Sequence, residues 1–251
     1  MEHYAPAQQV FAAGLIFARL GPILMLIPGF GETFVPVRVR LSLGLLMALV
    51  LFPVVGSSVP AIPSDVSGVI LAVIKESAIG LMLGTILRMF VSSLAATGEI
   101  VSIQTTLAFA QTTNPTQATP STTLGTFLGL LGLVLIMSTN LHHLFLSAIV
   151  RSYTLFPFTR PLPLADANAL AIQTVSQSFA LGVQLAAPVV AFSLIFNVAV
   201  GMVGRVMPQF QIFFVSSPLM ILLGLSIFAL SLGTIGMVWI DHYRDLLATF
   251  G

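Results

Sequence analysis

The chain has no cysteine and very little charge. Its 251 residues contain no cysteine, which excludes disulfides, thiolate catalysis and cysteine-ligated metal sites. Only 7% of the residues are charged, whereas soluble domains carry about 25%. With 57% hydrophobic residues and a mean hydropathy of +1.06, the chain cannot fold as a water-soluble globule. We therefore expect an integral membrane protein.

Two charge patterns are also missing, a basic run and the positive start of a signal peptide. The formal net charge is +1, and no cluster of basic residues could follow a phosphate backbone, so we expect no nucleic-acid partner. The first nine residues, MEHYAPAQQ, are polar and lack a positive region. We therefore expect the first apolar segment to be retained as structure.

Catalytic motifs are absent as well. The sequence has no GxxxxGK[ST] phosphate loop, no GxSxG elbow, no HExxH and no serine with an identifiable base beside it. The one histidine cluster, Asn140-Leu141-His142-His143, places adjacent rings about 100° apart on a helix, which does not suit a metal. We expect neither catalysis nor a cofactor nor a metal, and we interpret these histidines as polar helix-end or interhelical contacts.

The hydrophobic residues form about six blocks, which predict an all-α membrane protein. A spanning helix needs about 20 apolar residues, so the first two blocks are short, whereas the third and fifth are too long for one span. Such lengths predict kinked helices and helical hairpins, and prolines inside the blocks favour kinks or boundaries at Pro22, Pro28, Pro188 and Pro218. The blocks are 10–27, 41–55, 66–96, 124–150, 170–203 and 212–240.

Proline-rich stretches between the blocks predict loops at 28–36, 53–63 and 156–163. Ser64 or Asp65 is a candidate cap for the helix that begins near residue 66. Asp166 and Asn168 are candidate caps for the helix after the third loop.

Topology does not follow from the connector charges. If six simple spans are assumed, each side of the membrane receives three arginines, so the positive-inside rule gives no preference. This balance favours an unconventional insertion. The two sets are Arg38, Arg40 and Arg205 against Arg151, Arg160 and Arg244.

The middle of the chain holds an unusual neutral stretch at residues 104–123. It carries no charge, contains Pro115 and Pro120, and surrounds a small apolar cluster at 107–110. Loops of about twenty residues are usually functional or disordered. We interpret this stretch as the working part of the protein, the alternative being a passive polar linker.

Ionisable residues inside the apolar blocks are functional candidates, because charge is rare in membrane segments. On one helix, Arg88 and Glu99 would lie about 16 Å apart, and Lys75 and Glu76 would diverge, so none of them could pair there. Their partners must lie on other helices or other subunits. The alternatives are a protein-packed layer above the lipid and a proton or ion relay. The five candidates are Arg19, Lys75, Glu76, Arg88 and Glu99.

Small residues recur at four-residue spacing. Gly80 and Gly84 form one such pair, and Gly125 and Gly129 form another. This spacing lets helix backbones approach closely, so it predicts tight packing of helices within or between subunits.

Taken together, several segments resemble the FliR/SctT family of export-gate proteins of bacterial flagellar and virulence type III secretion. They occur in family order and cover nearly the whole chain. Two positions depart from the family pattern, with Asn114-Pro115 in place of Asp-Pro and Leu141-His142 in place of Gly-His. The matching segments are 17–22 with 28–31 and Pro36, Lys75-Glu76 with Gly80 and Gly84, Gly98-Glu99 with Gln104 and Asn114-Pro115, 140–143, and Ala187-Pro188 with 205–209.

The resemblance implies a gate subunit without enzymatic activity. It would join FliP-type and FliQ-type subunits and a FlhB-type subunit in a helical assembly of the bacterial inner membrane, at the flagellar basal body. Unfolded exported proteins would be its substrates, and membrane lipid would contact its surface. The chain would form a single export-gate domain with N-terminal helices at 1–103, a central plug loop at 104–123 and C-terminal helical hairpins at 124–251. The alternatives are a virulence secretion gate, a conventional secondary transporter and a structural scaffold.

The resemblance also implies roles for individual residues. The central loop of the family lies in the pore and helps to plug it, which assigns that role here to Gln104, Leu107, Phe109, Gln111, Asn114, Pro115 and Pro120. Subunit packing or buried polar contacts are expected at Arg19, Lys75, Glu76, Gly80, Gly84, Arg88, Glu99, Arg205, Pro208 and Gln209.

Overall fold

A computed structural model describes residues 4–32, 35–108, 122–161, 164–207 and 212–248. Within these ranges the chain forms α-helices and no strand, so the all-α prediction is confirmed. A short 3-10 turn, Gly56–Ser58, follows α2. The helices are α1 (Tyr4–Leu26), α2 (Val37–Val55), α3 (Val66–Gln104), α4 (Thr123–Ser138), α5 (Leu141–Leu155), α6 (Leu164–Val206) and α7 (Ile212–Ala248).

The long helices confirm a membrane protein. Among the residues described, five helices (α1, α2, α3, α6 and α7) contain segments long and apolar enough to cross a bilayer. The pair α4 and α5 passes the same test only as a broken span. Helix α6 has 43 residues and is about 64 Å long, roughly twice the ~30 Å thickness of a hydrocarbon core.

The fourth hydrophobic block, predicted as one stretch, is broken into two helices. Helix α4 ends at Ser138 and α5 begins at Leu141, with Thr139 and Asn140 between them. Asn140 adopts a left-handed backbone conformation with φ of 58°, which asparagine tolerates better than most residues. The break therefore needs neither proline nor glycine.

Proline positions predicted the helix boundaries poorly. Pro22, Pro188 and Pro218 lie inside α1, α6 and α7, and no helix ends at them. Pro53 lies in the last turn of α2, so the predicted loop at 53–63 begins only after the 3-10 turn. Neighbouring helices and local adjustment make proline tolerable in membrane helices. Only Pro28, two residues beyond α1, marks an end as expected.

One predicted helix cap is confirmed and another is wrong. The Gly68 N–H donates to Asp65 Oδ2 at 2.9 Å, and the Ser67 hydroxyl donates to the same oxygen, which together cap the start of α3. The Ser67 hydroxyl, and after it the Gly68 N–H, lowers the pKa of the Asp65 carboxyl. Asp166 and Asn168 lie inside α6, which begins at Leu164, so neither can cap its start.

The helices divide into two compact units. One unit contains α1, α2 and α5, with α3 up to Phe90, α6 up to Val175 and α7 from Arg244. The other contains α3 from Val91, α4, α6 from Ser176 and α7 up to Tyr243.

In the first unit, glycines bring α3 against α1. A Cβ on Gly80 would overlap the carbonyl oxygen of Arg19, and a Cβ on Gly84 would lie 2.9 Å from the Cβ of Leu26. Both glycines are therefore used for packing inside the chain, as the four-residue spacing predicted.

The second unit is centred on Trp239. This side chain is fully buried, and its indole N–H donates to Ser93 Oγ at 3.2 Å. Gly182 of α6 lies close to the Ser93 carbonyl, and the Thr97 hydroxyl donates to the Gly182 carbonyl at 3.2 Å. A tryptophan, a glycine and two hydroxyls thus hold α3, α6 and α7 together.

We expect Gly80→Ala to destabilise the protein by about 1–3 kcal/mol, because the new methyl group overlaps the α1 backbone. The thermal unfolding midpoint of the purified protein in detergent measures this effect. Gly14→Ala is the matched control, since no atom lies within 4 Å of a Cβ on Gly14 of α1. Equal midpoints for the two variants would contradict the packing described for α1 and α3.

Candidate functional site

The central segment is described only at its two ends. The structure includes residues 104–108 and continues from Thr122, so five of the expected plug residues lie outside the described part: Phe109, Gln111, Asn114, Pro115 and Pro120. Gln104, assigned to the loop from the sequence, is the last residue of α3, while Leu107 is half-buried beyond it. We call the residues around these two ends, which lie in the second unit, the neck: Glu99, Ser102, Gln104, Thr105, Thr106 and Thr122.

On the side where the segment rejoins the fold, a carboxylate of α3 caps α4. The Thr122 N–H donates to Glu99 Oε1 at 2.8 Å, and the Ser102 hydroxyl donates to Thr122 Oγ1 at 3.0 Å. Thr122 is itself the N-cap of α4, since its Oγ1 accepts the Gly125 N–H at 3.1 Å. A carboxylate at a helix N-terminus is stabilised by the unpaired N–H groups and the helix dipole. The half-buried Glu99 therefore finds its partner within the chain.

Glycines allow this contact. A Cβ on Gly98 would overlap the Leu124 carbonyl, and a Cβ on Gly125 would overlap the Glu99 carboxylate. Helices α3 and α4 therefore meet in backbone contact at the neck. Gly129, the second residue of the predicted pair, has only the Ala95 methyl nearby, at 3.8 Å from a Cβ.

On the side where the segment leaves α3, the helix end is held by α6 and α7. The Ser193 hydroxyl donates to Gln104 Oε1 at 2.7 Å. Thr105 is fully buried, its hydroxyl donates to the Val101 carbonyl at 2.8 Å, and its methyl fills the space that a side chain at Gly224 would need. The next residue, Thr106, has φ of 60°. The neck thus fixes both ends of the central segment.

The first unit contains a separate buried ion pair. Arg19 and Glu76 are 0% and 1% exposed, and Arg19 Nη2 lies 2.6 Å from Glu76 Oε2. Arg19 also donates to the carbonyls of Ser152 and Phe156, at 2.9 and 2.8 Å, at the end of α5. The Ser152 carbonyl also accepts the Phe156 N–H at 2.9 Å, so the guanidinium adds a second donor at the C-terminal end of α5. Its carbon lies 4.2 Å from the centre of the Tyr153 ring, a cation–π contact.

Lys75 binds the turn that follows α5. Its Nζ donates to the Phe158 carbonyl at 2.7 Å and also contacts the carbonyls of Pro157 and Arg160. Lys75 and Glu76 diverge on α3, as their spacing predicted. Lys75 binds the turn directly, whereas Glu76 binds Arg19, which contacts the end of α5. Together with Arg19 they join α1, α3, α5 and the turn.

The remaining candidates are not brought into either cluster. Arg88 lies exposed on α3, and Arg205 lies at the end of α6 between exposed apolar residues. Pro208 and Gln209 lie outside the described residues. Sequence reasoning missed Ser102, Thr106, Ser193 and Gly224, for which the sequence offered no signal beyond ordinary small residues.

The sequence of the chain is similar to those of known bacterial proteins. The family of bacterial export proteins, family 1, matches residues 10–246. A protein of Caulobacter vibrioides named Flagellar biosynthetic protein FliR is 59% identical over 250 residues, which cover 100% of both chains. Proteins of the same name from Bacillus subtilis and Escherichia coli are 27% and 29% identical, over 94% and 86% of this chain and 95% and 83% of their own. The resemblance inferred from the sequence is confirmed.

We expect Arg19→Met to destabilise the protein by about 3–5 kcal/mol, because it leaves Glu76 charged, buried and unpaired. The double variant Arg19→Met/Glu76→Met removes both charges and should recover much of this loss. Unfolding midpoints in detergent measure the series, with Arg151→Met, at an exposed position of α5, as the control. A double variant no more stable than Arg19→Met would show that the ion pair is not the source of the loss.

We expect Glu99→Ala to weaken the start of α4 by about 0.5–2 kcal/mol, the range for loss of a helix cap. Glu99→Gln keeps an acceptor oxygen and should have a smaller effect. Amide hydrogen exchange of residues 122–126 measures the change. Unaltered exchange in the alanine variant would mean that the carboxylate does not hold this helix end.

Proposed function

Because the chain belongs to the bacterial export protein family that includes the FliR proteins, we propose that it is a subunit of the flagellar type III protein export gate. Its 59% identity across the full length of a flagellar biosynthetic protein supports a flagellar role over one in virulence secretion. In this proposal the chain helps to form the pore through which unfolded flagellar proteins leave the bacterial cytoplasm across the inner membrane.

The neck is the observation that carries the gating role. The central segment begins and ends on the last two turns of α3, through Glu99 and Ser102 on one side and Gln104 on the other. A plug anchored in this way would stay attached to fixed helices at both of its ends. Residues 104–123 carry no charge, so as a plug they would block ions without binding a passing chain electrostatically.

Exposed apolar surface supports assembly with other membrane subunits. Along the last part of α6, Val198, Met202 and Val206 are 57%, 68% and 81% exposed. A helix of about 64 Å exceeds the hydrocarbon core by some 30 Å, so lipid alone cannot cover its apolar surface. We propose that helices of FliP-type, FliQ-type and FlhB-type subunits cover the apolar surface that lies beyond the hydrocarbon core. Membrane lipid covers the apolar surface within it.

We expect deletion of residues 109–119 to leave the gate assembled but make the inner membrane permeable to ions, because the neck is retained while the plug is lost. Potassium efflux from cells measures permeability, and co-purification with the neighbouring membrane subunits measures assembly. Cells lacking the whole chain are the control and should not leak. An assembled gate with unchanged permeability would rule out a plug at this position.

A further inference from the structure

The first unit contains three helical segments whose lengths match the thickness of a bilayer. Helix α1, with 23 residues, is about 34 Å long, and α2, with 19 residues, is about 28 Å long. On α3, the distance along the axis from Val66 to Arg88 is about 33 Å. A hydrocarbon core is ~30 Å thick, so each segment is long enough to cross it once. We call α1, α2 and this part of α3 the layer.

Helices α1 and α3 of the layer run parallel. A Cβ on Gly80 would overlap the Arg19 carbonyl, and a Cβ on Gly84 would lie against Leu26, further along α1. Because the contacts follow the same order on both helices, α3 reaches the end of α1 near Gly84. Arg88 lies just past the end of α1, since four residues advance a helix by about 6 Å.

Helix α2 runs in the opposite direction. The Gln8 side-chain amide donates to the Pro60 carbonyl at 2.9 Å and accepts the Ile62 N–H at 3.0 Å. These bonds place the start of α1 beside the segment that follows α2. At the other end, Arg40 in the first turn of α2 donates to the Glu32 carbonyl, in the turn after α1, at 2.8 Å. The start of α2 therefore lies level with the end of α1.

This arrangement brings the arginines at the helix ends to one side of the layer. Arg38, Arg40 and Arg88 lie there, together with the acidic Glu32. The other side is formed by the start of α1 and the segment between α2 and α3. Among its described residues there is no lysine or arginine, and the single charged residue is Asp65. The connector charges did not reveal this asymmetry because Arg88 lies inside an apolar block.

Two of the three arginines have no partner in the described part of the chain. Arg40 binds the turn after α1, but Arg38 and Arg88 are exposed and form no hydrogen bond or ion pair with a described residue. A guanidinium group matches a phosphate group through two parallel N–H donors. Long basic side chains near the ends of membrane helices extend to the membrane surface, where lipid phosphates lie.

The outer face of α2 suits lipid better than another helix. Interfaces between membrane helices use small residues and hydrogen-bonding side chains. On α2, the small residues Gly44 and Ala48 are buried, and a Cβ on Gly44 would lie 3.2 Å from the Phe17 ring of α1. The exposed hydroxyl of Ser42 donates to the Val39 carbonyl of its own helix at 3.0 Å. Large apolar side chains cover the rest of the exposed face.

We propose that the layer crosses the bilayer with its arginines on the cytoplasmic side, where Arg38 and Arg88 bind the phosphate groups of anionic phospholipids. Basic residues that flank membrane helices stay in the cytoplasm, and anionic lipids of the cytoplasmic leaflet attract them. The connector between α1 and α2 then faces the cytoplasm, and the connector between α2 and α3 faces the periplasm. The proposal takes its location in the inner membrane from the function proposed above, but it does not depend on a plug.

Cysteine labelling tests the orientation, because the chain has no cysteine of its own. Phe30, in the turn after α1, and Ala61, in the segment after α2, are both exposed. Cells with a permeabilised outer membrane are treated with a maleimide that cannot cross the inner membrane, and lysed cells are treated in parallel. We expect Ala61→Cys to react before lysis and Phe30→Cys to react only after it. Any other pattern would overturn the orientation.

Native mass spectrometry of the purified full chain tests the lipid contact, with phosphatidylglycerol as the anionic lipid and phosphatidylcholine as the neutral one. Arg38→Gln and Arg88→Gln each remove one charge, whereas Arg88→Lys keeps it. Arg151→Gln is the matched control, since Arg151 is also exposed but lies beside Ser152, whose carbonyl binds Arg19 within the layer. Equal unfolding midpoints establish that the variants are folded.

We expect the unsubstituted chain to prefer phosphatidylglycerol, and each glutamine variant at Arg38 and Arg88 to bind it about five-fold more weakly, the effect of one arginine at an anionic surface. Arg88→Lys and Arg151→Gln should stay close to the unsubstituted chain. No preference between the lipids, or an equal loss in Arg151→Gln, would overturn the lipid contact.

A protein partner for Arg88 would give a different result. Arg88→Gln would then leave lipid binding unchanged and reduce co-purification of the neighbouring membrane subunits, which would overturn the lipid contact at this residue. The function proposed above is judged separately, by gate assembly and by the leak of the 109–119 deletion. Failure of the lipid contact alongside a leaking deletion leaves that function in place, whereas a deletion that does not leak removes the plug alone.

Discussion

The fold depends on contacts between its buried charged side chains and polar groups from other elements of the chain. Such contacts are needed because an apolar environment provides no water to hydrogen-bond these charges. Arg19 joins a carboxylate on α3 to the carbonyls of Ser152 and Phe156 at the end of α5, and Lys75 binds the carbonyls of the next turn. Glu99 meets the free N–H end of α4. Arg19 and Glu99 thus bind polar groups at the ends of other helices, and Lys75 binds a turn. A chain with so few charges uses them where its helices stop.

The sequence predicted the helices well and their ends less well. Long apolar blocks set the helix positions, Asp65 capped α3, and the prolines after α5 kept 156–161 non-helical. Prolines failed as boundary markers inside α1, α6 and α7, since packed neighbours compensate for a lost backbone hydrogen bond. The break at Asn140 was missed because one left-handed residue suffices and leaves little trace in a sequence.

The residues of the candidate site were also predicted only in part. Arg19, Glu76 and Glu99 were identifiable because charge inside an apolar block requires an explanation. Their partners were not, because the contacts join distant positions: 57 residues separate Arg19 from Glu76, and 89 separate Gln104 from Ser193. Thr106 gave no signal at all, since its positive φ belongs to the backbone conformation and not to the residue type.

The neck also joins distant parts of the sequence. Glu99 holds Thr122, which lies 23 residues later, and Gln104 is held by Ser193, which lies 89 residues later. Contacts between distant positions form slowly, because the chain must first lose the entropy of closing the intervening loop. We therefore expect the end of α3 to become fixed late in folding, after the helices that hold it have formed.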